Sequence, residues 1–181
     1  MPGERKWLDL SSGGSTANVL RQSTGNLFTM NFTVDAGEIP AGGASFRGAR
    51  VRTVSPGNSQ VGRFCLYSGF GDGVPLLTYG DFQQKSGDIF AVYTALFVDA
   101  IPVAAGNYQL MICAPFGAAN QLEVCGRNGA VTIGRLLSTG GVFDPPMNPL
   151  SATGNSPTIL NMEVFALCAP PLPDLIFGGR A

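Results

Sequence analysis

The sequence predicts an all-β protein: a single-domain antiparallel β-sandwich with extended Pro- and Gly-rich terminal arms. Apolar residues recur at every second position in several short segments, and turn-forming residues bound those segments. A helical period of 3.6 residues is not sustained for three turns anywhere. The content of 25 Gly and 13 Pro also disfavours a helical protein. A chain of 181 residues is long enough for one domain with its own core.

The first predicted strands show the alternation most clearly. In residues 27–34, every second residue is large and apolar, which predicts one buried face. Residues 44–54 are predicted to have one buried and one basic face. Alternation in that segment puts Ala49, Val51 and Thr53 on one side and Arg50 and Arg52 on the other. In residues 61–67, Phe64 and Leu66 lie opposite Arg63.

The later strands bring the total to eight or nine, the usual number for a two-sheet jelly roll. Residues 89–98 are apolar on both faces, which indicates either a strand covered on both sides or one at an oligomer interface. Residues 107–114 and 158–168 alternate. The Asn-Gly pair at 128–129 predicts a hairpin turn between strands at 121–125 and 130–138.

Domain boundaries follow from composition. We expect an N-terminal arm over residues 1–26, a sandwich domain over 27–168 and a C-terminal arm over 169–181. The last segment contains Pro170-Pro171-Leu172-Pro173, which favours an extended conformation. It then presents three apolar side chains, Leu175, Ile176 and Phe177. These residues are predicted either to pack on their own domain or to dock on a neighbouring subunit.

Charge and targeting signals limit the classes of partner. The net charge of −1 argues against a dedicated nucleic-acid-binding protein, which needs a basic excess. The N-terminus lacks the apolar core of a signal peptide, and no apolar run is long enough for a membrane helix. We therefore expect a protein made in the cytoplasm, with neither nucleic acid nor membrane as partner. Nine Arg against two Lys, and only 13% charged residues, favour extensive association.

The residues present argue against an enzyme, a metal site or a cofactor. Histidine is absent, which removes the commonest general base and metal ligand. No phosphate-binding loop, nucleophile elbow or Cys-x-x-Cys pair occurs. The four cysteines are predicted to be buried thiols. Across a hairpin, Cys113 and Cys125 are the best disulfide pair for an oxidising compartment.

The strongest candidate site is a basic cluster of Arg47, Arg50, Arg52 and Arg63. Strand parity places Arg50 and Arg52 on one face, and we expect Arg63 on the adjacent strand. The cluster is interpreted either as a solvated sheet face or as a contact with an acidic protein surface. A separate set of aromatic residues would form a sugar-binding platform if the rings lined one loop edge: Trp7, Tyr67, Phe70 and Tyr79.

A resemblance adds to this interpretation. Residues 101–112 carry a Pro…Ala-Gly-x-Tyr-x-Leu-x-Ile pattern that resembles a strand start common in jelly-roll modules, and residues 64–67 resemble its partner strand. In its style the whole chain resembles the head decoration or cement proteins of tailed phages, which are small virion structural proteins. The shared features are an all-β, histidine-free sequence rich in Gly, Asn and Thr, with Pro-rich arms.

The resemblance implies a function and partners. Such a protein binds and stabilises the assembled capsid shell, contacts the major capsid protein, and is a homo-oligomer, typically a trimer; its expected location is the virion. The interface residues are then expected to be Arg47, Arg50, Arg52, Arg63, Trp7, Leu175, Ile176 and Phe177. The alternative function is a carbohydrate-binding jelly-roll module of a phage tail, fibre or capsid exterior.

Overall fold

The predicted all-β sandwich is confirmed by a computed structural model of the chain. The structure describes residues 3–8, 10, 20–21, 26–53, 60–87, 90–113, 123–128, 134–138, 146, 148–149 and 158–169. Apart from one short 3₁₀ helix, Ala36–Glu38, the regular elements in these ranges are strands. In chain order they are β1 (Glu4–Trp7), β2 (Leu20–Arg21), β3 (Asn26–Val34), β4 (Ala44–Arg52), β5 (Gln60–Ser68), β6 (Leu76–Gln84), β7 (Val92–Pro102), β8 (Gly106–Cys113), β9 (Glu123–Val124), β10 (Gly126–Asn128), β11 (Gly134–Ser138), β12 (Thr158–Leu160) and β13 (Met162–Cys168).

Two antiparallel sheets form the sandwich. The four-stranded sheet has the order β1-β13-β4-β7, and the five-stranded sheet has the order β11-β3-β8-β5-β6. The pairings are nested: β5 pairs with β6, β4 with β7, β3 with β8, and β1 with β13. A long antiparallel ribbon folded over on itself has this nesting. Two further two-stranded pairs, β2-β9 and β10-β12, complete the described strands.

The core lies between the sheets and follows the alternation in the sequence. On β3, Phe28, Met30, Phe32 and Val34 are all buried, as predicted. Phe46 of β4 is fully buried and meets rings from several strands. Its ring centroid lies 5.4 Å from that of Trp7, 6.2 Å from that of Phe32 and 5.1 Å from that of Tyr108. Edge-to-face contacts between such rings stabilise the two sheets against each other.

The sandwich closes on one side where the edge strands β6 and β7 meet. Gly80 of β6 lies against the backbone of Leu96 on β7, so closely that a side chain at this position would overlap it. The hydroxyl of Thr78 donates to the carbonyl oxygen of Asp99 and accepts from its amide, at 3.2 Å and 3.3 Å. These contacts satisfy polar backbone groups that an edge strand otherwise leaves unpaired.

The structure differs from the sequence predictions at β1. Glu4–Trp7, within the segment expected to be a terminal arm, is an edge strand paired with β13. Trp7 fills the core next to Phe46, and its indole N–H donates to Glu38 at 3.1 Å. A strand of four mostly polar residues is held by this packing and by its partner strand, so it carries little alternation signal of its own.

A second difference concerns residues 121–138. The predicted hairpin turn is wrong, because Gly126–Asn128 is a strand that pairs with β12. The two flanking strands have other partners: β9 pairs with β2, and β11 pairs with β3. Asn-Gly favours a turn locally, but the pairing that this segment makes with distant strands decides its conformation.

The cysteines are free thiols, and the proposed pairing of Cys113 with Cys125 is wrong. Cys113 ends β8 on the outer face of the five-stranded sheet, where it hydrogen-bonds Cys65. This hydrogen bond and burial raise the pKa of Cys113. Cys125 lies beside the other sheet, and its amide donates to the carbonyl oxygen of Arg52 at 2.8 Å. The predicted burial of the cysteines is confirmed for Cys65, Cys113 and Cys125, whereas Cys168 is partly exposed.

Candidate interaction surface

The outer face of the four-stranded sheet contains three of the expected interface residues, Arg47, Arg50 and Arg52. On β4, the inward side chains Ala49 and Val51 are buried, as alternation predicts, and so is Thr53 directly after the strand. Arg50 and Arg52 are partly exposed on the opposite face, and Arg47 is exposed. The predicted division of this strand into a buried face and a basic face is confirmed.

Arg50 is engaged in ion pairs within the chain. Its guanidinium donates to both carboxylate oxygens of Glu4 on β1, at 2.8 Å and 2.9 Å, and also to Glu163 on β13. Lys6 Nζ lies 3.3 Å from an oxygen of each of the two glutamates. The forked guanidinium matches the two oxygens of one carboxylate, which makes this pairing geometrically specific. Together these four residues tie three strands of the sheet to one another.

An aromatic ring supports this charge cluster from below. The guanidinium carbon of Arg50 lies 4.1 Å from the centroid of the Phe165 ring. Phe165 is only 4% exposed although it points outward from the sheet. It is accommodated because the neighbouring residue on β4 is Gly48, whose missing side chain leaves room for the ring. A cation over an aromatic face adds attraction to the ion pairs.

The pairing changes the acid–base behaviour of Glu4. The hydrogen bond from Arg50, with a further contribution from Lys6, lowers the pKa of Glu4 from 4.5 to about 2. A carboxyl with a depressed pKa stabilises the folded state above its unfolded-state pKa. That contribution is lost as the pH falls from about 4.5 toward 2.

We therefore expect Glu4→Gln to be destabilising in a pH-dependent way. Near pH 6 the variant should lose roughly 1–2 kcal/mol of unfolding free energy, a figure that allows for the partial exposure of Glu4. Near pH 2 the wild-type carboxyl is about half protonated and most of its contribution is already lost, so the difference should shrink to a few tenths of a kcal/mol. Denaturant unfolding at both pH values measures this, with the exposed Asp99→Asn as control. An equal loss of unfolding free energy at both pH values would contradict the pairing of ionised Glu4 with Arg50.

The apolar stripe is the second feature of this face, and we define it as Val92, Leu96 and Val98 of β7. Their side chains are 43%, 68% and 59% exposed. The inward residues Ala95 and Phe97 are buried, so the strand predicted to be apolar on both faces is covered on one only. The stripe lies directly beside the arginines, since Val92 pairs with Arg52 across the ladder.

The opposite sheet offers no comparable surface in the described residues. Its outer face carries a second buried cluster formed by Cys65, Tyr67, Met111 and Cys113. Arg63 lies on this face and not on the strand next to Arg52, so that expectation is wrong: β4 pairs with β13 and β7, whereas β5 belongs to the other sheet. Arg63 makes two hydrogen bonds to the Asp81 carboxylate, at 2.6 Å and 2.8 Å.

The remaining candidates are dispersed. Trp7 lies in the core and contributes almost no surface, at 7% exposed. The proposed sugar platform does not assemble: Tyr67 is fully buried in the second cluster, Tyr79 lies under Arg63, and Phe70 is exposed in a separate loop. Leu175, Ile176 and Phe177 lie outside the described residues.

Sequence reasoning missed Glu4, Lys6 and Glu163, which determine what Arg50 does. The partner of Arg50 on β13 is 113 residues away, a separation that only the strand order brings together. A weak signal existed, because the alternation of residues 158–168 leaves Glu163 on the face opposite the apolar residues Leu160, Met162 and Val164. Pairing it with Arg50 also requires knowing that β13 and β4 are neighbours.

Comparisons with known proteins gave no assignment: no family model, curated protein or solved structure matches the chain. Among the described residues, there is no group of three or more Cys, Asp or Glu side chains arranged to hold a metal ion. The same part of the chain has no helix long and apolar enough to cross a membrane. The most distinctive surface feature of the described residues is the exposed apolar stripe beside the arginines on the outer face of the four-stranded sheet.

Proposed function

We propose that this protein is a structural component of a virus particle that binds and stabilises the assembled capsid shell, as decoration or cement proteins do. The major capsid protein is its partner, and the protein is made in the host cytoplasm and acts in the virion as a homo-oligomer, a trimer. The observation that carries this proposal is the exposed apolar stripe on the four-stranded sheet.

The fold is compatible with that role. A jelly roll pairs its eight strands as nested hairpins wrapped into two sheets. The nested pairs β1-β13, β3-β8, β4-β7 and β5-β6 fit this description. We accordingly propose a jelly roll, to which β11 is added as an edge strand. Many virion proteins use jelly rolls, although the fold alone does not define a function.

Energetics favour the apolar stripe as the contact with the shell. Covering a Val or Leu side chain is worth roughly 1.5–3 kcal/mol when it is fully exposed at the start. At the exposures observed, covering the three side chains is worth about 3–4 kcal/mol per subunit. Arg47 and Arg52 add charge at the border of the stripe, where they favour an acidic partner surface. A trimer engages three such surfaces at once, which multiplies the effect through avidity.

Binding to the assembled shell stabilises it by mass action. A ligand that binds the assembled state and not the free subunits shifts the equilibrium toward assembly. The proposed function therefore requires no chemistry, only a rigid surface complementary to a lattice of capsid subunits. The closed sandwich, with its packed core and the ion pairs on its outer face, is compatible with that role.

The test uses capsid shells that lack this protein and are assembled from the major capsid protein of the same virus. We expect the wild-type chain to co-sediment with shells and not with unassembled capsid subunits. The double variant Leu96→Thr, Val98→Thr keeps residues that favour strands while removing most of the apolar area. It should lower the affinity for shells by roughly tenfold to 100-fold.

Gln83→Thr changes an exposed residue on the other sheet. This variant is the matched control and should bind shells as the wild type does. Unfolding midpoints confirm that each variant is folded. If the double variant binds shells as well as the control, the apolar stripe is not the contact. If the wild-type chain binds no shell but is retained on a glycan array, the carbohydrate-binding alternative replaces the proposal.

A further inference from the structure

A groove of about 420 Å³ opens on the outer face of the four-stranded sheet, where β4 begins and β13 ends. Its lining includes Gly43 and Arg47 from one side and Leu167 and Ala169 from the other. Leu167 is 37% exposed and Arg47 is exposed, so the groove combines an apolar wall with a cation. This volume lies within the range of typical ligand sites.

We propose that this groove receives the C-terminal segment, residues 170–181, of a second copy of the chain. The inference rests on the self-association proposed above but not on the identity of the capsid partner. The segment contains a single acidic residue, Asp174, followed by Leu175, Ile176 and Phe177. In the groove, Asp174 pairs with Arg47, and the apolar residues cover Leu167.

The position where the described chain ends supports a C-terminal occupant. Ala169 forms part of the groove wall, and its amide donates to the carbonyl oxygen of Gly43 at 3.0 Å. The segment therefore leaves each subunit at the rim of that subunit's own groove. In an oligomer whose symmetry places this rim beside a neighbouring groove, the exchange of segments between subunits needs only a short reach.

Strand direction disfavours insertion into the groove of the same chain. From Phe165, which is beside Gly48, to Ala169, β13 and the residue after it run away from Arg47. At about 3.3 Å per residue, Ala169 lies about 10–13 Å along the strand from Arg47. The sequence Pro170-Pro171-Leu172-Pro173 favours an extended polyproline conformation of about 3.1 Å per residue, which carries Asp174 about 15 Å farther.

A contact between Asp174 and Arg47 of the same chain therefore requires the segment to reverse within its most extended part. Proline restricts its own backbone and that of the residue before it, which opposes such a reversal. A neighbouring copy avoids this cost, because its groove accepts the segment in its extended form. The preorganised segment also loses less conformational entropy on binding than a flexible one would.

The test measures the solution mass of the full-length chain by light scattering during size exclusion. We expect the wild type to form an oligomer whose mass is a multiple of 18.8 kDa. Arg47→Glu and Asp174→Arg should each weaken self-association at least tenfold, because each places like charges together. The charge-swapped double variant, Arg47→Glu with Asp174→Arg, should restore it. Arg52→Glu, on the same face but outside the groove, is the matched control and should behave as the wild type.

The outcomes separate this inference from the proposed function. If the wild type is an oligomer and both single variants keep its mass, the groove is not the receptor, while the proposed oligomer stands. If single variants dissociate without rescue by the double variant, Arg47 and Asp174 do not form a pair, and the inference is overturned. A wild type that is monomeric at every concentration overturns the inference as well, whereas capsid binding remains testable by co-sedimentation.

Discussion

Gly80→Ala is expected to destabilise the protein by about 3 kcal/mol or more, or to prevent folding. A methyl group at Gly80 would overlap the carbonyl oxygen of Leu96 and lie 2.8 Å from its carbonyl carbon. Both atoms belong to the backbone of β7, so no side-chain rotation relieves the clash. The two edge strands would have to separate, which opens the side of the sandwich. Since domains of this size are stable by only about 5–15 kcal/mol, this loss is large.

Gly37→Ala is the control for this effect. Gly37 lies in the 3₁₀ helix, and a methyl group there would meet no atom within 4 Å. We expect its unfolding free energy to stay within about 0.5 kcal/mol of the wild type. Denaturant unfolding monitored by the fluorescence of Trp7 measures both variants. Equal stability of the Gly80 and Gly37 variants would contradict the close approach of β6 and β7.

Arg50→Leu is the second substitution with a large expected effect, a loss of about 2–3 kcal/mol. Removing the guanidinium leaves Glu163, whose side chain is only 6% exposed, with Lys6 as its ion-pair partner among the described residues. It also removes the two hydrogen bonds to Glu4 and the contact with Phe165. We place the loss below the usual value for a fully buried pair because the Arg50 side chain is 22% exposed.

Two matched variants test whether this loss is specific to the ion pairs. Arg52→Leu changes a neighbouring arginine on the same face. Arg52 makes no ion pair with another described residue, so this variant should lose less than about 0.5 kcal/mol of unfolding free energy. Arg50→Lys keeps the charge but loses the forked geometry, so it should recover only part of the stability. If Arg50→Leu and Arg52→Leu prove equally mild in denaturant unfolding, the cluster contributes little to the fold.

The ion pairs that Arg50 makes within the chain limit its role in an interface with a partner. The sequence suggested that Arg47, Arg50 and Arg52 act together on a partner. The structure instead pairs Arg50 with Glu4 and Glu163, so its charge is largely balanced within the chain. A charge reversal at Arg50 would damage the sheet itself, and its effect on binding would not be interpretable. Arg52, which lies on the same face but outside the groove, is therefore the better position for testing electrostatic contacts with the partner.

The features of the fold that the sequence predicted well are those that depend on local periodicity. In β3 and β4 the side chains alternate between apolar and polar, and a period of two is a local property that needs no partner strand. The buried and exposed faces of these strands follow directly. Residues 89–98 were predicted to form a strand that is apolar on both faces. The outward-facing apolar residues of that strand, β7, form the apolar stripe.

What the sequence did not predict depends on which strands are neighbours. Arg63 and Arg52 are only eleven residues apart, yet they lie on the outer faces of opposite sheets, because the chain crosses between sheets after β4. Trp7 lies in a polar segment, and its burial follows from the pairing of β1 with β13. Pairings between distant segments depend on packing across the whole domain, so local propensity could not have revealed them.

The proposed function requires that a partner covers the apolar stripe in the assembled particle. Hydroxyl-radical footprinting with mass spectrometry tests it most directly, by comparing side-chain oxidation in the free chain and in the chain bound to capsid shells. We predict that oxidation of Leu96 and Val98 falls severalfold on the shell. Phe70, which is 43% exposed in a loop away from the stripe, should remain oxidised and serves as an internal control. Unchanged oxidation of Leu96 and Val98 in the bound chain, with protection of Phe70 instead, would contradict the claim.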